Sequence, residues 1–208
     1  MKLKFALATS LLLLPATTQA YADTAVSTID QESASVKYQK ATSAQPKTLM
    51  TQSMVNDFNA GKLINTKKLN LEFVKLVNQN RKKNGVAPIV YNAKLQSGAN
   101  IRAKEQAATR QISHTRPNGT LFNTAFTPSV RQIVKAENVA FTYYNFNAYT
   151  LVSEKYVAQK LYQLWFNSSK HRNNMLNKSY KGTAIAFKYA NVTGAKYTYG
   201  YGAQIISK

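Results

Sequence analysis

The chain has no cysteine, only eight acidic residues, two histidines and one tryptophan in 208 residues. Without cysteine neither a disulfide nor a thiolate metal site can brace the fold, so packing alone must hold it. Long apolar runs are also missing. The longest, Phe5 to Leu14, falls short of the roughly 18 to 20 residues that span a bilayer. What is present suffices for a core: 44% of residues are apolar, with 13 Tyr and 9 Phe.

The short apolar run reads as a secretory signal. Lys2 and Lys4 precede it, and Ala20, Tyr21 and Ala22 give a small-x-small site for cleavage before Asp23. Residues 1–22 are therefore expected to be removed on export, and no wall-anchoring Leu-Pro-x-Thr-Gly signal stands near the C-terminus. An exported, cysteine-free chain fits a bacterial source better than an animal one, and the expected location is secreted, extracellular.

The scarcity of acids is set against 28 Lys and Arg, for a formal net charge of +20. Such a chain is drawn to polyanions, which outside a bacterial cell are nucleic acid, teichoic acid or anionic lipid. The same excess also serves solubility and loose adhesion to a negative wall. Aromatic residues interleave with the basic ones, but no recognisable nucleic-acid motif accompanies them.

Residues 23–67 read as a flexible leader, poor in large apolar residues up to Pro46. Within it Met50, Met54 and Phe58 recur every four residues and predict a short helix at 48–60 docking on the domain. The domain itself is expected over 68–208. Leu69, Phe73, Leu76, Val77 and Asn80 share a helical face that Gly85 ends; Asn92 caps a second helix to about Thr109, with Leu95, Ala99, Ala103 and Ala107 on one side. Ser153 caps a third, whose Val157, Leu161, Leu164 and Trp165 form a core stripe, and Ser169 a short turn to Leu176. Alternation from Thr183 to Tyr189, a turn at Asn191 to Gly194 and a return from Lys196 to Ile206 predict a β-hairpin. Gly200 and Gly202 in the return suggest a bulge or a close approach.

Chemistry concentrates in three stretches: Ser113-His114-Thr-Arg-Pro-Asn-Gly119, Ala136-Glu137-Asn138-Val139-Ala140, and Trp165-Phe-Asn-Ser-Ser-Lys-His171-Arg-Asn-Asn-Met-Leu176. Two imidazoles and a carboxylate with an open position suit Zn²⁺ or a similar divalent ion, whose bound water would be an activated nucleophile. Without metal, His114 or His171 would act as general base beside Ser113, Ser168 or Ser169. Each residue alone has a plainer reading, a structural histidine before a turn or a carboxylate paired with Lys135 or a histidine for stability only.

Taken in order with Tyr199-Gly-Tyr-Gly-Ala-Gln-Ile205, these stretches closely resemble the CAP superfamily (cysteine-rich secretory proteins, antigen 5 and pathogenesis-related 1), bacterial branch, over roughly residues 68 to 208. The resemblance implies an α+β fold, an α-β-α sandwich with a central antiparallel sheet and a shallow cleft lined by two histidines and one or two acids. His114 matches the first family histidine, Glu137 the acid and His171 the second histidine; these would be the metal ligands and, in an enzyme, the catalytic residues. Glu154 lies near the start of its helix and is not assigned the second acid. Ala136 replaces the glycine of many relatives, and the cysteines of animal members are missing.

Function stays open among three classes. The resemblance implies a secreted module binding a hydrophobic or cell-envelope ligand, with a metal in the cleft. A metal-dependent hydrolase acting on a polyanion such as nucleic acid, or on cell-wall material, is the alternative. A surface adhesion or host-interaction protein with a vestigial cleft is the third.

Overall fold

The computed structural model describes residues 50–144 and 152–208, all within the unit Gln31–Lys208 of the two into which the chain divides. The expected signal peptide, most of the expected leader and residues 145–151 lie outside the described residues. Helix α1 (Gln52–Asn59) leads into α2 (Thr66–Lys83), β1 (Val90–Tyr91), a 3₁₀ turn at Ala93–Leu95 and α3 (Gln96–Thr109). A 3₁₀ turn at Phe122–Ala125 and the single-turn α4 (Pro128–Arg131) precede β2 (Val134–Tyr144). Then come α5 (Glu154–Phe166), α6 (Ser169–Leu176), β3 (Gly182–Tyr189) and β4 (Thr198–Ser207). None of the described helices is long and apolar enough to cross a membrane.

The sheet order is β1-β3-β4-β2. β2, β3 and β4 run antiparallel, as expected, while the two-residue β1 joins β3 in parallel. Alternation along the strands feeds two cores. Ile185, Phe187, Tyr189, Ile206, Ala136 and Ala140 face α1, α2, α5 and Met175 of α6. Ala184, Ala186, Ala203 and Ile205 face Leu95, Ala99 and Ala103 at the start and along one side of α3. Helices on both faces of one sheet make the α-β-α sandwich.

Small residues set the spacing on both sides. A Cβ on Gly98 of α3 would sit 2.1 Å from the Phe126 ring, and one on Gly202 of β4 2.3 Å from Leu161 of α5. The approach expected at Gly202 is thus of a helix side chain, and the bulge lies elsewhere, between Val134 and Ala136 of β2. Trp165 is fully buried, edge-on to Phe73 at 5.5 Å. Ser153 caps α5 by accepting from Tyr156 N–H, and Asn92 accepts from Lys94 N–H at the 3₁₀ turn that opens α3. Ser168, not Ser169, is the N-cap of α6. Arg81, in the last turn of α2, is buried, donating to the carbonyls of Ala87 and Met175 at 2.7 and 2.8 Å.

Among the described residues the packed body already includes Met50, ahead of the boundary drawn at Lys68. Met50, Met54, Val55, Phe58, Leu63 and Ile64 all belong to the larger core. The periodicity every fourth residue that predicts α1 is the face that docks, and Phe58 meets Phe187 and Tyr189 edge-on at 6.3 and 4.7 Å. Asn59 continues the sheet's bonding, donating to Tyr189 O at 2.8 Å and accepting from Tyr189 N at 2.9 Å. Phe58→Ala is therefore expected to cost about 3–5 kcal/mol in urea unfolding. A change near zero would return the segment to the status of a loose leader.

Candidate functional site

The site begins with a guanidinium that the sequence reading passed over. Arg102 sits on the sheet-facing side of α3, one position before Ala103, and its side chain is 1% exposed. It donates from Nε to Glu137 Oε1 at 2.8 Å, from Nη1 to Glu105 Oε2 at 2.7 Å, and from Nη2 to the Ser113 carbonyl. A buried cation needs such partners, and here a strand, its own helix and the following loop each supply one.

The loop carrying His114 is built by its own composition. Arg116 and Thr120 close a turn, with Gly119 N–H donating to Arg116 O at 2.9 Å and Gly119 in the left-handed region at φ 81°, which glycine adopts without strain. Thr115 and Leu121 pair as an isolated bridge, and Phe122 N–H donates to His114 O at 2.9 Å. Arg116 staples the loop to α3 through Glu105, at 2.9 Å from Nε and 2.7 Å from Nη2. Burial works to raise the Glu105 pKa, but hydrogen bonds from Arg116 and Arg102 outweigh it and hold the carboxyl below its ordinary value.

Glu137 lies on β2 with its side chain fully buried and both oxygens in use. Oε1 accepts from Arg102, and Oε2 stands 2.9 Å from His114 Nδ1. With Nδ1 facing a carboxylate that only accepts, His114 carries its proton there and turns Nε2 outward; its side chain is 57% exposed. His171 comes from α6 on the other side of β2. Its carbonyl accepts from Asn138 Nδ2 at 3.1 Å, and Asn138 is fixed by Gln204 Oε1 and by Asn174 Nδ2, each at 2.8 Å. The ring is half-buried and its pKa lies below the usual 6.5, through burial first and then the nearby positive charge of His114. His171 is therefore a neutral imidazole at pH 7, available as acceptor or ligand.

The structure joins His114 to Glu137 by direct contact, and His171 stands near enough to His114 for the charge of one ring to be felt by the other. Among the described residues, no group of three or more His, Asp or Glu side chains is arranged to hold a metal ion. Glu137 is unavailable because Arg102 neutralises it and His114 occupies its second oxygen. The donor set does not fit a three-ligand centre, since Glu137 is engaged in orienting the His114 ring. Nor does either imidazole bond a serine hydroxyl among the described residues: Ser113 Oγ accepts from Thr115 N–H at 3.0 Å. Glu154, set aside as second acid, is a structural group, accepting from Asn65 N–H at 2.9 Å and pairing with Lys68 at 3.6 Å.

Arg102, Glu105, Asn138, Asn174 and Gln204 complete the arrangement. A signal for Arg102 exists in the sequence: it falls beside the Ala99-Ala103-Ala107 row, where a cation must find an acid, and acids are few.

A four-stranded sheet with helices on both faces defines a class of α+β sandwich domain, and comparison gives the class a family. Residues 74–201 match the model of the cysteine-rich secretory protein family, CAP, and the chain belongs to that family. Among solved structures it is similar to an outer surface protein of Borrelia burgdorferi, at 14% identity and a TM-score of 0.49 over 70% of this chain and 96% of that one. An extracellular protein of Bacillus anthracis containing an SCP domain matches at 16% identity and a TM-score of 0.46, over 79% and 45% of the two chains. A cysteine-rich secretory protein of Staphylococcus aureus matches at 20% identity and a TM-score of 0.40, over 69% and 39%. The chain thus spans under half the length of the latter two. A search of curated proteins found no match.

Two outcomes follow from this geometry. Arg102→Ala leaves Glu137 buried and half-partnered, and is expected to cost about 3–5 kcal/mol in urea unfolding. The double change Arg102→Met/Glu137→Met removes both charges and should cost markedly less; equal losses would deny the pair its place as one unit. In an NMR titration, the His171 midpoint should lie below 6.5 and rise in His114→Gln, because one of its two causes is then gone while burial remains. An unmoved midpoint would mean that the two rings do not sense one another.

Proposed function

We propose that this is an exported CAP-domain protein whose cleft binds a ligand at His114 and His171 and does not hydrolyse it. The observation that carries this reading is the full commitment of Glu137 to Arg102 and His114. A hydrolase built here would need that carboxylate as ligand or base, or a serine bonded to an imidazole, and neither is supported by the contacts. A divalent ion such as Zn²⁺ would be held by Nε2 of His114 and by His171, with Glu137 fixing the first ring. The ion would supply a Lewis-acidic anchor for an oxygen of the ligand. The signal-like N-terminus of the sequence agrees with export.

The surface charge supports a location at an anionic envelope. Among the described residues every exposed residue with a formal charge is Lys or Arg. Of the five acids among the described residues, Asp57 pairs with Lys62 at 3.2 Å, Glu105 and Glu137 with arginines and Glu154 with Lys68, while Glu72 is half-buried. The cationic excess is therefore almost wholly displayed to solvent, where it concentrates teichoic acid, nucleic acid or anionic lipid and weakens with salt.

Calorimetric titration of Zn²⁺ tests the cleft. The wild type should bind one ion, His114→Ala/His171→Ala none, and Glu137→Gln roughly 10- to 100-fold more weakly, as for other groups that orient a metal-bound histidine. With Zn²⁺ present, wild type and double variant should show the same background cleavage of nucleic acid and wall material. Turnover that disappears in His171→Ala would replace binding by hydrolysis.

A further inference from the structure

Beyond the cleft, on the same face of the sheet as Glu137, the strands β2 and β4 continue past the end of α3 and carry aromatic rings in cross-strand register. Phe141 lies opposite Tyr201 and Tyr143 opposite Tyr199. Phe141 stacks on Tyr201 at 6.2 Å with 27° between planes, and Tyr143 meets Tyr199 at 6.2 Å and Tyr197 at 5.2 Å. Phe141 and Tyr143 are 48% and 59% exposed, unusual for large rings on a sheet. Two cations stand over this row, Arg110 at 5.8 Å from the Tyr199 ring and Lys196 at 5.5 Å from that of Tyr197. Arg110, Ile112, Phe141, Tyr199 and Tyr201 line a concavity of about 380 Å³.

One backbone feature singles out Arg110. It occupies the C-terminal cap of α3 in the left-handed region, φ 54°, and is the one described non-glycine residue with positive φ. Glycine is the usual occupant of such a position. The arginine kept there sends its guanidinium to the Asn191 carbonyl at 2.7 Å and across the Tyr199 ring. Backbone strain retained at a place where glycine would relieve it points to a use for the side chain.

From this row we infer that the Phe141/Tyr143/Tyr199 shelf is a binding site for single-stranded nucleic acid. Rings two residues apart on a strand are about 7 Å apart. That is twice the roughly 3.4 Å between stacked bases of a duplex strand, so the shelf matches bases that are splayed out one per ring. Arg110 and Lys196 provide the phosphate contacts, and no acid among the described residues is exposed to repel the backbone. A neutral glycan would look for carboxylates to bond its hydroxyls, and the shelf has none. A membrane would favour rings that protrude, whereas Arg110, Phe141 and Tyr199 bound a hollow. The site uses neither imidazole and so stands apart from the proposed cleft function.

Fluorescence anisotropy with a labelled thymidine oligonucleotide of about 12 residues tests it on the full chain, beside a duplex of equal length. The wild type should prefer the single strand. Phe141→Ala/Tyr143→Ala should weaken single-strand binding at least ten-fold and leave duplex binding, which surface charge supplies, unchanged. Arg110→Gly relaxes the backbone, so it should unfold at the wild-type temperature or above it and still bind the single strand several-fold more weakly. His114→Ala/His171→Ala should bind as the wild type does. Equal affinity for both nucleic acids, or shelf variants that bind like wild type, would overturn the inference. So would loss of the single strand in the histidine variant, which would assign it to the cleft. Shelf variants that keep the oligonucleotide but lose vesicles of mixed phosphatidylglycerol and phosphatidylcholine would make the shelf a lipid seat instead.

Discussion

One buried guanidinium organises the functional half of the molecule. Taking Arg102 out of water is costly, and its partners offset that cost only if all of them are in place together. Helix, strand and loop are therefore registered against a single side chain: α3 through Glu105, β2 through Glu137 and the His114 loop through the Ser113 carbonyl. Desolvation of Arg102 works against its charge, but Glu137 and Glu105 more than compensate and hold the guanidinium firmly protonated. The consequence for chemistry is subtractive. The carboxylate of Glu137 is taken up by an arginine and by the His114 ring, and of the two imidazoles it is His114 whose orientation it fixes.

The same logic governs charge over the whole domain. Acids are few, and the protein uses them as internal counter-ions: Glu137 and Glu154 are buried, and Asp57 is 9% exposed. The Glu137–Arg102 pair, at a helix-to-strand contact and closed to solvent, has geometric work, since such a pair fixes register more than it adds stability. The outer surface is left to Lys and Arg, so a net charge of +20 understates how one-sided the solvent-facing layer is. Self-repulsion among these cations weakens the fold through net charge, and a polyanion that neutralises them relieves it.

Much of this was legible where local signals are strong. The caps at Asn92 and Ser153, the stripe ending in Trp165, the hairpin of β3 and β4 and the docking face of α1 each have a period or a terminus that the sequence displays. The layer order was supplied by the resemblance, as was the grouping of His114, Glu137 and His171. β2 escaped as a strand because it is covered on both faces from Ala136 to Ala140, and a strand buried on two sides shows no alternation. The three-ligand metal set was the natural reading of two histidines and an acid, and what it did not include is the contact across 35 residues by which Arg102 engages Glu137, which no spacing rule expresses. The boundary at Lys68 followed polar composition, yet Leu63 and Ile64 between the polar residues are core.

The aromatic shelf has a simple origin in element lengths. Fourteen residues of α3 make a rod of about 21 Å, while eleven residues of β2 extend about 36 Å. Even if the two were aligned, some 15 Å of the sheet face would lie beyond the helix, and Phe141 and Tyr143 fall in that remainder. A longer α3 would bury it, and nothing in the strand pattern prevents one; the helix stops because the chain turns at Arg110, in a conformation that costs a non-glycine residue roughly 1–2 kcal/mol. A glycine at that position would end the helix equally well without the cost. The arginine is thus better explained by what its guanidinium reaches, the Tyr199 ring and the Asn191 carbonyl, than by the turn it makes.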